Sequence, residues 1–166
     1  MTVLEHAIRT VKSHPEHRNC DITLCSREVH PGNFDARRLE RAFYNLLLNA
    51  VEAVSTQADG EKRVQVIVMQ DDRQITTRII DTGPGIPSEI ENTLFDPFVG
   101  IGKEHGTGLG LTIARKILQD HGGDVEIESA ARGRTVFVAT IPVLGTAPAQ
   151  GNPPVDRKPS ITKPEA

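Results

Sequence analysis

Hydrophobic residues recur along this chain at two different periods, and the switches between them mark out its elements. Val3, Leu4, Ala7, Ile8 and Val11 fall at helical spacing and predict a short helix within residues 1–13. Pro15 and its polar neighbours in SHPEHRN end it in a loop. DITLCS (21–26) reads as a strand. A turn at Pro31-Gly32 then leads to Asp35, which is placed to cap a long helix from about Ala36 to Thr56, with Phe34 beside it. Leu39, Phe43, Leu46, Leu47, Ala50 and Val54 form the broad apolar stripe of that helix.

The period then changes. VQVIVMQ (64–70) and ITTRIID (75–81) are β-branched runs separated by DDRQ and predict a hairpin. Ser88, with Glu91 three residues on, predicts a capping box at the start of a short helix. A helical pattern over 108–121 stops at Gly122-Gly123. DVEIES (124–129) and TVFVATI (135–141) form a closing hairpin around AARGR. Beyond Pro142 the character changes again. Residues 143–166 hold five of the eleven prolines and almost no large apolar side chain, which predicts a disordered tail after a domain spanning 1–142. The order of elements fits an α+β fold, a two-layer sandwich of one mixed sheet with helices on one face.

Composition narrows the function classes. A net charge of −3 and a pI near 6.1 give no electrostatic footprint for nucleic acid or an acidic membrane surface, so neither is expected as a partner of this segment. The first residues lack the apolar core of a signal peptide, and no run approaches a membrane span, so a cytoplasmic location is expected, with room for membrane anchoring in a longer chain. Cys20 and Cys25 read as free thiols, because one C-x4-C pair without partners is weak for zinc. His14 and His17 read as loop histidines, since no third ligand lies near them.

The chemistry concentrates between Asp81 and Gly110. An acid ends a strand there. Gly83 and Gly85 follow it, and Gly106, Gly108 and Gly110 precede a helix. Glycines just before a helix leave free N–H groups at the positive end of the helix dipole, which suits phosphate. The Walker pattern fails, because Gly102-Lys103 is followed by Glu104. The dinucleotide fingerprint fails too, because the spacing is GxGxG and no strand precedes it. On the long helix, Asn45, Asn49 and Glu52 share one face, and two asparagines there point to a ligand, an Asn carbonyl being a hard oxygen suited to Mg²⁺. Residues 100–106 read as a glycine-rich flap.

Taken together, these segments resemble the catalytic ATP-binding domain of bacterial sensor histidine kinases, within the wider GHKL family of gyrase, MutL-type mismatch-repair proteins and large heat-shock chaperones. LERAFYNLLLNAVEAV resembles the N box and DTGPGIP the G1 box. LFDPF resembles the F box, and GTGLGLTIARKILQDHGG the G2 box and its helix. GRTVFVATIP resembles the closing strand. The resemblance implies the Bergerat fold, with a mostly antiparallel sheet. It implies that Asp81 accepts a hydrogen bond from the adenine amino group, backed by Thr135, with Gly83, Gly85 and Ile86 under the base. Asn49 is implied as the Mg²⁺ ligand, with Asn45 close to the phosphates and Glu52 beside them. Phe95 belongs to the same implied site. Gly106, Thr107, Gly108, Leu109, Gly110 and Leu111 are implied around the phosphates, and Lys103 is implied to offset charge on the γ-phosphate.

Two positions depart from the family pattern. Glu52 stands where many of these kinases carry lysine. Asn45 stands where the hydrolysing relatives carry a water-activating glutamate, and an amide cannot act as a general base. The implied activity is therefore transfer of the γ-phosphoryl group of Mg-ATP to a histidine, with Asn45, Asn49 and Lys103 as catalytic residues. That histidine sits on a dimerisation domain not contained in this chain, and a response regulator is the indirect partner. The alternative is a module that binds ATP or ADP without transferring phosphate, or a serine kinase of the anti-sigma-factor type.

Overall fold

The computed structural model describes residues 2–27, 34–57, 60–99 and 108–143. The expected tail beyond residue 143 and the flap at 100–107 lie outside them.

Helix α1 (Val3–Ser13) buries Leu4, Ala7 and Val11, the stripe its spacing predicts. Its start carries a reciprocal cap that hydrophobic spacing does not reveal. Thr2 accepts from the Glu5 amide, and the Thr2 amide donates to the Glu5 carboxylate. SHPEHRN is not plain loop. Pro15–His17 forms a 3₁₀ turn, and His17 is buried with its Nδ1 lacking a partner among the described residues. His17 is thus withdrawn from solvent instead of lying exposed in a loop.

Helix α2 (Ala36–Ser55) is capped by Asp35, whose carboxylate accepts from the Arg38 amide at 3.1 Å. It runs across the middle of the core and buries Leu39, Ala42, Phe43, Leu46, Leu47, Ala50, Val51 and Val54. Each large side chain fully withdrawn from water in this way contributes about 1.5–3 kcal/mol. The short α3 (Ser88–Glu91) begins one residue earlier than expected. Pro87 holds the cap position, no side chain caps it, and the Ser88–Glu91 box does not form. Proline presets the φ needed at a helix start, and its missing N–H removes a donor from the turn.

Five strands form one sheet in the order β1-β2-β3-β5-β4. They are β1 (Asp21–Ser26), β2 (Arg63–Gln70), β3 (Gln74–Asp81), β4 (Asp124–Ala131) and β5 (Arg134–Pro142). Only β1 and β2 run parallel; the other pairs are antiparallel. The fold is thus α+β with a mixed, mostly antiparallel sheet. Two-residue periodicity assigns the faces. Val66, Ile79 and Phe137 align across three strands and point under the helices, as do Val68, Thr77 and Ala139. The alternate positions form the other face, where Arg78 bonds Glu128 at 3.0 Å and Met69 is exposed.

Helix α4 (Gly110–Asp120) lies beside α2 and buries Leu111, Ala114, Ile117 and Leu118. It ends at Gly122, whose φ of +79° favours glycine. Gly123 follows because a Cβ there would sit 1.7 Å from the Thr140 carbonyl oxygen. The helix exit is therefore pressed directly on β5.

Candidate nucleotide site

The site starts from the pleat of β3. Asp81 lies two residues after Ile79 and four after Thr77, so it shares their inward face. The sheet therefore carries a carboxylate into the core, with 1% of the residue exposed. Its Oδ1 accepts from the Gly83 amide at 2.8 Å. The Thr135 hydroxyl, on the residue paired with Asp81 across β3 and β5, is its second partner. Burial pushes the Asp81 carboxyl above its ordinary value, and these two hydrogen bonds pull back only part of the way. A buried, charged acceptor with spare lone pairs is a costly feature for a fold to keep without a ligand donor.

The loop after Asp81 is pinned on both sides. The Gln57 amide nitrogen donates to the Thr82 carbonyl at 2.7 Å, and Gly133 N–H donates to the Gly83 carbonyl at 2.8 Å. Ile86 N–H donates to the Ala130 carbonyl at 3.0 Å. Gly83 has no room for a side chain: a Cβ would lie 2.6 Å from Asp81 Oδ1 and 3.1 Å from the Ala53 Cβ. Gly85 has φ of +88°, and a Cβ there would meet the Ala130 carbonyl at 2.7 Å. The loop thus lies flat between α2 and the β4–β5 turn. Ala53 belongs to this end of the site and was missed in the sequence, although it stands one helical turn beyond Asn49.

The other end lies where α4 begins. Leu109 occupies the cap position, and no side chain caps the helix. Gly110 faces Asn45, with a glycine Cβ position 3.8 Å from the Asn45 Oδ1. Asn45 Nδ2 is buried and has no partner among the described residues. Such a donor costs roughly 1–3 kcal/mol unless something accepts from it. Asn49 and Glu52 are half-buried on the same helix. Gly108 takes φ of +65°, and a Cβ there would lie 2.8 Å from the Phe98 backbone, whose N–H donates to the Gly108 carbonyl at 3.1 Å.

The remaining sequence candidates take other places in the structure. Phe95 packs edge-on against Phe137, with ring centroids 6.1 Å apart, and under Arg115 at 5.1 Å. Arg115 in turn clasps Asp124 with two bonds of 2.9 and 3.1 Å. Phe95 is therefore an anchor of its loop as well as a site candidate. Leu111 is part of the core. Lys103, Gly106 and Thr107 lie outside the described residues. Cys20 is buried, Cys25 is exposed, and both are free thiols. Among the described residues no group of three His, Cys, Asp or Glu side chains could hold a metal, and no helix is long and apolar enough to cross a membrane.

Comparison with known proteins identifies the family. Residues 34–145 match the family model described as histidine kinase-, DNA gyrase B- and HSP90-like ATPase. The chain is 38% identical over 122 residues to the sensory histidine kinase/phosphatase NtrB of Rhodobacter capsulatus, a match covering 66% of this chain and 33% of that protein. It is 32% identical over 164 residues to NtrB of Azospirillum brasilense, covering 92% of this chain and 40% of that one. The chain thus spans well under half the length of these relatives. Among solved structures, it resembles a nucleotide-free form of the catalytic domain of histidine kinase ThkA. That likeness has a TM-score of 0.71 and 27% identity, over 85% of this chain and 90% of that one. The chain belongs to the family of histidine kinase-, DNA gyrase B- and HSP90-like ATPases, and within it to the fold of histidine kinase catalytic domains.

Proposed function

We propose that this domain binds Mg-ATP and transfers its γ-phosphoryl group to a histidine on a dimerisation domain, as the catalytic part of a two-component sensor kinase. The observation that carries the reading is a buried acceptor and an orphaned donor placed along one helix, α2. At one end is the buried Asp81 carboxylate, at the other the buried Asn45 amide beside the uncapped start of α4. The first suits the amino group of adenine, because a carboxylate accepts and cannot donate. The second suits phosphate oxygens. The match to named sensor kinases supports the same chemistry.

In this reading Asp81, Thr135 and Gly83 hold the base, with Gly85 and Ile86 shaping the loop beneath it. Asn45 and the amides around Gly108, Leu109 and Gly110 hold the phosphates. Asn49 presents a hard oxygen fit for Mg²⁺, which supplies charge neutralisation between the phosphates when bound. Lys103, Gly106 and Thr107 extend the same assignment by sequence alone. Phosphoryl transfer is mostly positioning and charge stabilisation, so these groups are sufficient on the nucleotide side. Asn45 in place of a water-activating acid favours transfer over hydrolysis.

Calorimetric titration with ATP, ADP and GTP, with and without Mg²⁺, tests the nucleotide part. Preference for adenine nucleotides and a Mg²⁺ effect are expected; absence of binding refutes the reading. Adding a histidine-bearing dimerisation domain should then yield acid-labile, base-stable phosphate. Acid-stable phosphate would indicate a serine kinase instead.

A further inference from the structure

Helix α2 crosses the site end to end. Ala53 touches the glycine loop at the Asp81 end, and Asn45 faces Gly110 at the start of α4. Eight residues of helix separate them, a rise of about 12 Å. Continuing in the same direction, Arg41 follows one turn beyond Asn45, on the face that carries Asn45 and Asn49. If the base sits at Asp81 and the phosphates at Gly110, the far end of the nucleotide points along α2 towards Arg41.

Arg41 lines a groove between α2 and α4 of about 360 Å³, together with Arg38, Thr112, Ile113, Lys116 and Ile117. Its three cations are not equivalent. Arg38 and Lys116 both bond Asp120, so their charge is shared with a carboxylate. Arg41 has no ion pair among the described residues. Across from it, the Thr112 hydroxyl is buried and also lacks a partner there.

We propose that Arg41 is a cation that α2 supplies to the terminal phosphate of ATP. The inference rests on the nucleotide reading above. A guanidinium gives two parallel donors to phosphate oxygens and stays charged at any working pH. Because the terminal phosphate exists only in ATP, the contact distinguishes ATP from ADP.

The test is calorimetric titration of the full chain and its Arg41→Gln and Arg41→Lys variants with Mg-ATP and Mg-ADP at one ionic strength. The expected result is an ATP affinity about tenfold weaker in R41Q, with ADP within about twofold. R41K keeps the charge but loses the fork, and it should recover most of the loss. Equal weakening of ATP and ADP, or no weakening of either, overturns the assignment. Arg41 is exposed, so R41Q should melt as wild type does, and only a loss confined to ATP supports the assignment. Wild-type protein that binds neither nucleotide overturns the nucleotide reading itself.

Discussion

Replacing Asp81 by asparagine should separate binding from stability. The side chain is nearly isosteric, and its position is buried between Gly83 and Thr135. In the wild type the ionised carboxylate can only accept: its Oδ1 takes the Gly83 N–H, and Thr135 is a second partner. In the D81N variant one oxygen becomes an NH₂ donor. If the amide oxygen keeps the Gly83 N–H, the NH₂ group faces the adenine amino group, and two donors meet. If the amide turns round, the same conflict moves to Gly83. One buried donor is left without an acceptor in either case, at a cost of about 1–3 kcal/mol. That corresponds to a Kd for ATP raised about 5- to 150-fold.

The free protein should respond the opposite way. Burial raises the carboxyl's folded pKa above its ordinary value of 3.8. A raised acid pKa means the folded state holds its proton more tightly than the unfolded state. The ionised side chain therefore opposes folding at neutral pH, and this penalty fades as the pH falls through the folded value towards 3.8. D81N removes the penalty. Its melting temperature at pH 7 should equal or exceed that of the wild type, with the advantage shrinking in acid. Wild-type nucleotide affinity should also fall as Asp81 takes up its proton. Calorimetry with ATP and thermal melts at neutral and acid pH give both readings. Undiminished ATP affinity in D81N, or a variant much less stable at pH 7 than at low pH relative to wild type, would refute the reasoning.

Three other perturbations probe separate layers. Gly108→Ala places a side chain at φ +65°, against the Phe98 backbone, and should cost about 1–2 kcal/mol from the left-handed backbone alone, read by urea denaturation. Leu46→Ala opens a cavity in a fully buried site and should cost about 2–5 kcal/mol in the same assay. Arg115→Gln breaks a partly exposed pair and should cost less than about 1 kcal/mol at pH 7. Burial works to raise the Asp124 carboxyl, but the Arg115 and Val125 hydrogen bonds outweigh it and leave the pKa below 3.8. The contribution of this pair is therefore present at neutral pH, and it is lost as the pH falls through that lowered value. The stabilities of R115Q and wild type should converge in strong acid.

Most elements of this fold are written locally. The stripe on α2 and the alternation in the two hairpins required no knowledge of neighbours, because 3.6- and 2-residue periods follow from backbone geometry. The glycine clusters and the acid ending β3 were equally legible as a nucleotide signature. What lies across the chain was not. That Asp81 faces Thr135 was implied by the family resemblance alone; physically it depends on β5 inserting between β3 and β4, a choice made by the sheet and not by either strand. His17 is buried in a turn set against both α1 and α2, and nothing in SHPEHRN states that. Ser88 looked like a cap, but Pro87 took the position. Gly123 read only as a helix stop; its contact with Thr140 shows that close packing on β5 also demands it. The orphaned amide of Asn45 and the direction in which α2 crosses the cleft likewise appear only when the helix is set against α4. Local periods determine which elements form, whereas register and packing between distant segments decide which polar groups are left facing each other.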